Sequence, residues 1–222
     1  MKTEMPGMNV SNPSVSVVIT VFNRRKKLMR ALDSIIAQSF TDYEIIIIDD
    51  GSEDKPENLL FPVLKKYSFI KYLRHSNRLP VRSLNTGLRL ASGRFITFLD
   101  SDDEYKPDHL EARINFMQRN KSVDLIHSPA VLVGNEKDFY VPDARNRKKL
   151  IHLDKCIIGA TFFGKSKVFK TLEGFKNVYS YDLEFFERAS ALFNVRKFDC
   201  LSYIYYRDSK DSILTLLKNK LH

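Results

Sequence analysis

Cysteine is scarce in this chain. Among 222 residues there are two, Cys156 and Cys200, and neither has a second Cys or a His at metal-ligand spacing. That excludes a disulfide scaffold and a zinc finger, and it fits a reducing cytoplasm. Long apolar runs are missing too, since none approaches the 18 residues of a spanning helix. The opening 14 residues, MKTEMPGMNVSNPS, lack an apolar h-region and read as a flexible leader, not a signal peptide. There is no internal repeat and no low-complexity tract. Helix-turn-helix and RNA-recognition signatures are absent as well, which argues against nucleic acid as a partner.

Negative charge is in deficit. Lys and Arg number 36 against 27 Asp and Glu, a formal charge of +9. Such a surplus points to an anionic partner, whether a phosphorylated ligand, an acidic polymer or a membrane face, although it also serves solubility. Apolar content of 43% and charged content of 28% are those of a globular protein, and the length suits one domain with a sizeable core.

What is there begins with Val15 to Val21 (VSVVITV), a β-branched run typical of a strand buried on both faces. From Lys26 to Gln38, Leu28, Leu32, Ile35 and Ile36 recur at helical spacing. YEIIIID is a second buried strand, ending at Asp49, Asp50, Gly51 and Ser52, and Pro56 opens the next helix. FIKYLR (69–74) is a third strand; Val81, Leu84, Leu88 and Ala91 mark a helix expected to be C-capped by Gly93. FITFL is the fourth strand, and Pro107 starts a helix through Leu110, Ile114 and Met117. Four such alternations predict an α/β fold: a mostly parallel sheet with helices on both faces.

The second half is less regular. VDLIHSPAVLV and KDFYV read as strands joined antiparallel, and DARNRKKL (143–150) as a basic surface loop. Residues 166 to 172 predict a short helix before a turn at EGF, and Asp182 to Phe193 an amphipathic one. FDCLSYIYYR suggests a last strand, and SILTLLKNKL a short basic helix. The expected divisions are a leader over 1–14, a nucleotide-binding half over 15–120, an acceptor-binding half over 121–210, and a basic tail over 211–222.

Open parallel sheets bind ligands outside the carboxyl ends of their strands, and both acidic clusters lie at such ends. In FITFLDSDDE (95–104), Asp100, Asp102 and Asp103 crowd three carboxylates into four positions. Like charges this close need protonation or a partner. A divalent cation, Mn²⁺ or Mg²⁺, would satisfy hard oxygen ligands and accept phosphate oxygens for its remaining positions. A solvated turn ahead of the Pro107 helix is the plainer reading. In DDGS (49–52) a carboxylate can accept from a ribose hydroxyl or a base N–H, or simply build an Asx turn, with Gly51 free to take φ > 0.

The ordered set VSVVITVFNRRKKLMRAL, IIIIDDGSED and NTGLRLASGRFITFLDSDD resembles the family-2 glycosyltransferases of the GT-A fold, over roughly residues 15 to 190. That resemblance implies a Rossmann-like, mostly parallel sheet with a smaller antiparallel acceptor-side region. It implies an inverting transferase that takes a sugar from a nucleoside-diphosphate donor, most often a UDP-sugar, to an acceptor hydroxyl with a divalent metal. By position, Val21 and Phe22 would lie against the base, and Asp49 or Asp50 would bind base or ribose. Asp100 would reach the ribose, Asp102 would hold the metal, and Asp103 would orient the loop. Asp182 in YDLEFFERA matches the catalytic base, with Glu184 a weaker candidate, and Asp182 can also simply cap its helix.

The chain departs from the family pattern at several places. Thr20 replaces the usual Pro, Phe22 the Tyr, Leu79 a common Gly, Leu84 a common Arg, and Tyr181 a Glu. Arg78 or Arg82 can supply the phosphate contact instead. Some relatives use a late His as an extra metal ligand, for which His152 is the residue to inspect. Tyr203, Tyr205 and Tyr206 can stack on a sugar, although strand alternation explains them too.

A phosphoacceptor receiver domain is disfavoured because its first strand would end in acidic residues, whereas this one ends in VFNRR. The remaining alternative is a non-catalytic nucleotide-sugar or polysaccharide-binding module on the same fold. The acceptor is expected to be a glycan or a lipid-linked saccharide. The RNRKK run (145–149) suits peripheral contact between a cytoplasmic protein and an anionic inner membrane face, within cell-envelope polysaccharide synthesis.

Overall fold

The computed structural model describes residues 12–207. Most of the expected leader and all of the basic tail lie outside these residues. The leader's last two residues are tied down: Arg94 N–H donates to Pro13 O and Phe95 N–H to Ser14 O.

The first half alternates as the apolar periodicity requires. Strands β1 (Val15–Val21), β2 (Tyr43–Asp49), β3 (Ile70–Arg74) and β4 (Phe95–Asp100) are separated by helices α1 (Arg25–Ile36), α2 (Glu57–Lys66) and α3 (Pro80–Leu90). A two-residue strand β5 (Glu104–Tyr105) and helix α4 (His109–Arg119) follow. The second half adds β6 (Leu125–His127), β7 (Val131–Val133), β8 (Tyr140–Pro142), β9 (Leu150–His152) and β10 (Phe163–Lys165). It closes with α5 (Ser166–Thr171), α6 (Tyr181–Leu192), β11 (Val195–Lys197) and β12 (Tyr203–Tyr206).

Seven strands form one sheet in the order β11-β6-β10-β4-β1-β2-β3. Its β4-β1-β2-β3 half is wholly parallel, and β10 runs antiparallel to both of its neighbours. Strand alternation divides the core. Val17, Ile19, Ile45 and Ile47 face one way, onto Leu28, Leu32, Leu60 and Leu110 of α1, α2 and α4. Val18, Ile46, Ile48 and Phe98 face the other, onto Leu84, Phe169 and Phe185 of α3, α5 and α6. Each fully buried Ile contributes about 1.5–3 kcal/mol.

Two local expectations need correction. Gly93 is not a left-handed C-cap, because the residues at positive φ do not include it. It is glycine because β1 runs against it: a Cβ there would stand 2.6 Å from Ser16 N, and its N–H donates to Ser16 Oγ at 2.8 Å. The segments VDLIHSPAVLV and KDFYV are not joined antiparallel. β6 enters the main sheet, whereas β7 pairs parallel with β12 in a three-stranded sheet, β5-β12-β7. β8 pairs instead with β9, so the basic run is the tip of a hairpin. Strands of three residues carry too little alternation to reveal their partners.

Candidate active site

The parallel register aligns the carboxyl ends of four strands along one edge. Val21 lies opposite Asp49, Thr20 opposite Asp100, and Asp49 opposite Arg74. The loops leaving β1 and β2 are laced together. Asn23, at φ 54, takes the Glu53 N–H on Oδ1 at 2.7 Å and gives its own N–H to Ser52 Oγ at 3.0 Å. Asp54 accepts the Arg25 N–H at 2.8 Å. Gly51, at φ 82, makes the turn, as its sequence position predicts.

The two aspartates of that turn divide their work. Asp49 is fully buried; it accepts from Ser52 N–H at 2.8 Å and from Tyr72 OH at 2.7 Å, with Arg74 Nε 3.6 Å away. Both of its oxygens are thereby engaged inside the protein. Asp50 Oδ1 accepts the Arg78 N–H at 2.7 Å with His75 Nδ1 3.4 Å off, and its Oδ2 has no partner among the described residues. Val21 is a core residue, 2% exposed, whereas the neighbouring Phe22 ring is 44% exposed at the strand end. Arg78 and Arg82 are exposed at the entry to α3.

The β4 loop is held from two sides. Arg24 Nη1 donates to Asp102 Oδ2 at 2.5 Å. Arg30 donates to the Asp102 carbonyl, pairs with Glu104 at 2.9 Å, and stacks on Tyr206 at 3.9 Å. Asp103 is buried and accepts from Tyr203 OH at 2.7 Å and from Tyr206 N–H at 2.8 Å. Burial, then Asp100 and Asp102, hold the Asp103 carboxyl well above the usual range. Asp100 is pushed up to about 7, first by burial and then by Asp102, with Arg24 opposing and Asp182 adding to the rise. Asp182, at the start of helix α6, is thus within electrostatic range of the carboxyl end of β4.

Asp182 lies in the first turn of α6, after Ser180 at φ 54, and takes the N–H of Leu183 at 2.8 Å. Gly159 packs so closely that a Cβ there would come within 2.9 Å of Asp182 Cβ. Burial raises the Asp182 carboxyl, with backbone N–H groups pulling the other way. Glu184 is engaged by Arg188 at 2.7 Å and Lys176 at 3.1 Å, which hold it low.

His152 pairs with Asp154 at 2.7 Å and packs against Phe139 and Tyr140. No set of three or more His, Cys, Asp or Glu side chains converges to hold a metal among the described residues. Asp100 and Asp102 act on one another as like charges, and such a pair of hard oxygen donors would suit a divalent ion whose other ligands are diphosphate oxygens and water; it is not an all-protein cage.

The residues that sequence reading missed are Arg24, Arg30 and Tyr72, and Tyr203, read there as a sugar-stacking candidate, is instead fully buried and braces Asp103. One signal was available. Helix α1 has no acidic residue in its first turn and opens on Arg24, Arg25, Lys26 and Lys27, against its own dipole.

Comparison with known proteins bears on the family and the fold. The model of glycosyl transferase family 2 matches residues 16–200. An uncharacterized glycosyltransferase of Rickettsia typhi is 30% identical over 200 residues, covering 83% of this chain and 62% of the relative. One from Methanocaldococcus jannaschii is 27% identical over 224 residues, covering 95% and 77%. Of a Rickettsia felis glycosyltransferase, 37% identical over 127 residues, this chain covers only 21%.

Among solved structures, S. aureus TarS in complex with UDP-GlcNAc superposes with a TM-score of 0.71 at 21% identity, over 91% of this chain and 60% of that one. Mannosyltransferase PcManGT from Pyrobaculum calidifontis, in complex with GDP-Man and Mn²⁺, gives 0.67 at 16%, over 88% and 57%. At these identities the two structures establish the GT-A fold, while the family match spans most of the chain. This protein belongs to glycosyl transferase family 2.

Proposed function

We propose that the protein is an inverting hexosyltransferase moving a sugar from a nucleoside diphosphate, UDP first, to a hydroxyl of a glycan or lipid-linked saccharide. One observation carries this reading: the register sets Asp50, Asp100 and Asp102 at or just past the carboxyl ends of the two strands flanking β1, and Asp182 of α6 acts electrostatically on Asp100. The solved neighbours that hold UDP-GlcNAc and GDP-Man share the fold and support a nucleotide-sugar donor.

Each residue then has a task. Phe22 offers its exposed ring to the base, beside core-bound Val21, and Asp50 Oδ2 accepts from base or ribose. Asp49 braces the turn that presents Asp50. Asp100 faces the ribose, and Arg82 or Arg78 meets a phosphate. Asp102 would hold Mn²⁺ or Mg²⁺ with Asp100 beside it, and the ion, when bound, supplies Lewis-acid charge to the leaving diphosphate. Asp182 takes the acceptor's proton, a task for which a raised carboxyl suits it.

The hairpin tip carrying residues 145–149 stands next to the α6 approach, with Arg147 over the Tyr179 ring at 4.1 Å. Its charge suits an acceptor displayed at an anionic membrane face, in the manner of a cytoplasmic, peripheral enzyme of envelope polysaccharide synthesis. No helix among the described residues is long and apolar enough to cross a membrane.

A panel of nucleotide sugars, scored by thermal shift with and without Mn²⁺, tests the reading. UDP or a UDP-sugar should stabilise the protein more with Mn²⁺, and Asp102→Ala should abolish that increment. Indifference to every nucleotide sugar would overturn the donor assignment. Metal-dependent binding without hydrolysis or transfer would instead identify a binding module.

A further inference from the structure

The start of helix α1 is an electrostatic conflict. Four cationic residues, Arg24 to Lys27, stand at an end whose free N–H groups already carry positive partial charge. Arg25 partly resolves its share by donating to Asp54 O at 3.0 Å. Arg24 resolves its share on Asp102, and the two side chains are 18% and 9% exposed. The same guanidinium acts electrostatically on Asp100. The loop does not depend on Arg24 for its shape, because Arg30 anchors the Asp102 carbonyl and Glu104. Arg24 can therefore leave Asp102 without the loop losing its support.

We propose, building on the donor-site reading, that Arg24 is an exchangeable counter-ion of that site. It holds Asp102 while the donor is absent, yields the carboxylate to the divalent cation, and turns to an oxygen of the incoming diphosphate. A cation arriving alone would take one anion from a largely enclosed guanidinium beside a helix N-terminus and return none. A cation arriving with diphosphate brings the replacement anion. Arg24 thus opposes cation binding in the empty site and favours it in the filled one, so the two ligands enter together.

The test is Mn²⁺ binding to nucleotide-free protein, read from the EPR signal of free Mn²⁺, for wild type, Arg24→Gln, Arg24→Met and Arg24→Lys. Loss of the charge should tighten Mn²⁺ roughly tenfold. In EDTA, calorimetry should show UDP bound more weakly by the Gln and Met variants, and Arg24→Lys should stay near wild type in both readouts. Melting curves establish that each variant is folded, and either neutral variant suffices. Unchanged Mn²⁺ affinity in a folded neutral variant overturns the proposal, as does equal tightening by Lys. If wild type binds no UDP and turns over no UDP-sugar, the donor-site reading itself falls; if it does both while the Mn²⁺ affinities coincide, the counter-ion exchange alone falls.

Discussion

Asp182 packs against Gly159, and burial favours its protonated form while backbone N–H groups oppose it. For a general base the sign is definite. The active form is the carboxylate, so raising its pKa moves the acidic limb of the pH–rate profile upward. We expect kcat/KM to fall on the acid side at a pH above the ordinary 3.8 of an aspartate. Asp182→Asn should lower turnover about 10²- to 10⁴-fold, remove that limb and leave UDP affinity unchanged. Wild-type turnover in the variant would remove Asp182 from the chemistry. The residue type and its distance from Asp102 were legible in the sequence. Its partners were not, because the contact between α6 and Gly159 joins segments that no periodicity links.

At the scale of elements, the entry to α3 is where this chain leaves its family's pattern and where the backbone records it. Leu79, standing where a Gly is common, adopts φ 81 and ψ 147, a region nearly closed to side chains. Its side chain is 51% exposed, so little packing offsets the strain. Glycine normally costs about 0.4–1 kcal/mol relative to alanine through the unfolded chain. Here the order should invert: Leu79→Gly should exceed Leu79→Ala by about 1 kcal/mol in denaturant unfolding, because the alanine Cβ keeps the strain. Alanine as the more stable variant would refute this backbone conformation. Elements with strong period, β1, β2, β4, α1 and α3, lie close to where their sequence places them. β5 and β9, of two and three residues, have no such signal and exist only because β12 and β8 lie beside them.

The whole molecule's stability carries a titration that no single element announces. His109 is fully buried, stacked on Tyr105 at 3.5 Å, and bonded through Nδ1 to Ser202 O at 3.1 Å. Burial first, and then the Arg113 cation, hold it well below 6.5. As pH falls through about 6.5, the unfolded chain gains a proton at this histidine and the native one does not, so stability is lost on the acid side. Asp100 and Asp103 are displaced upward and act in the opposite sense, so the informative quantity is a difference between proteins. Between pH 7 and pH 5, wild type should lose stability relative to His109→Gln by up to about 1.4 kcal/mol per unit. Parallel curves for the two proteins would mean that His109 titrates normally in the fold.

What the sequence determined by itself was the parallel half of the sheet and the acidic strand ends, because both are written in local order: period two along strands, 3.6 along helices, and charge where each strand stops. Tertiary structure alone decided how those aspartates divide their labour. Asp49 and Asp50 are adjacent letters, yet one is sealed by Tyr72 and the other holds the Arg78 N–H at the entry to α3. Asp102 meets Arg24 across 78 positions, and Asp103 meets Tyr203 across 100. Charge is a property of residues, but its compensation is a property of the neighbours that folding supplies, and those neighbours come from the far side of the chain.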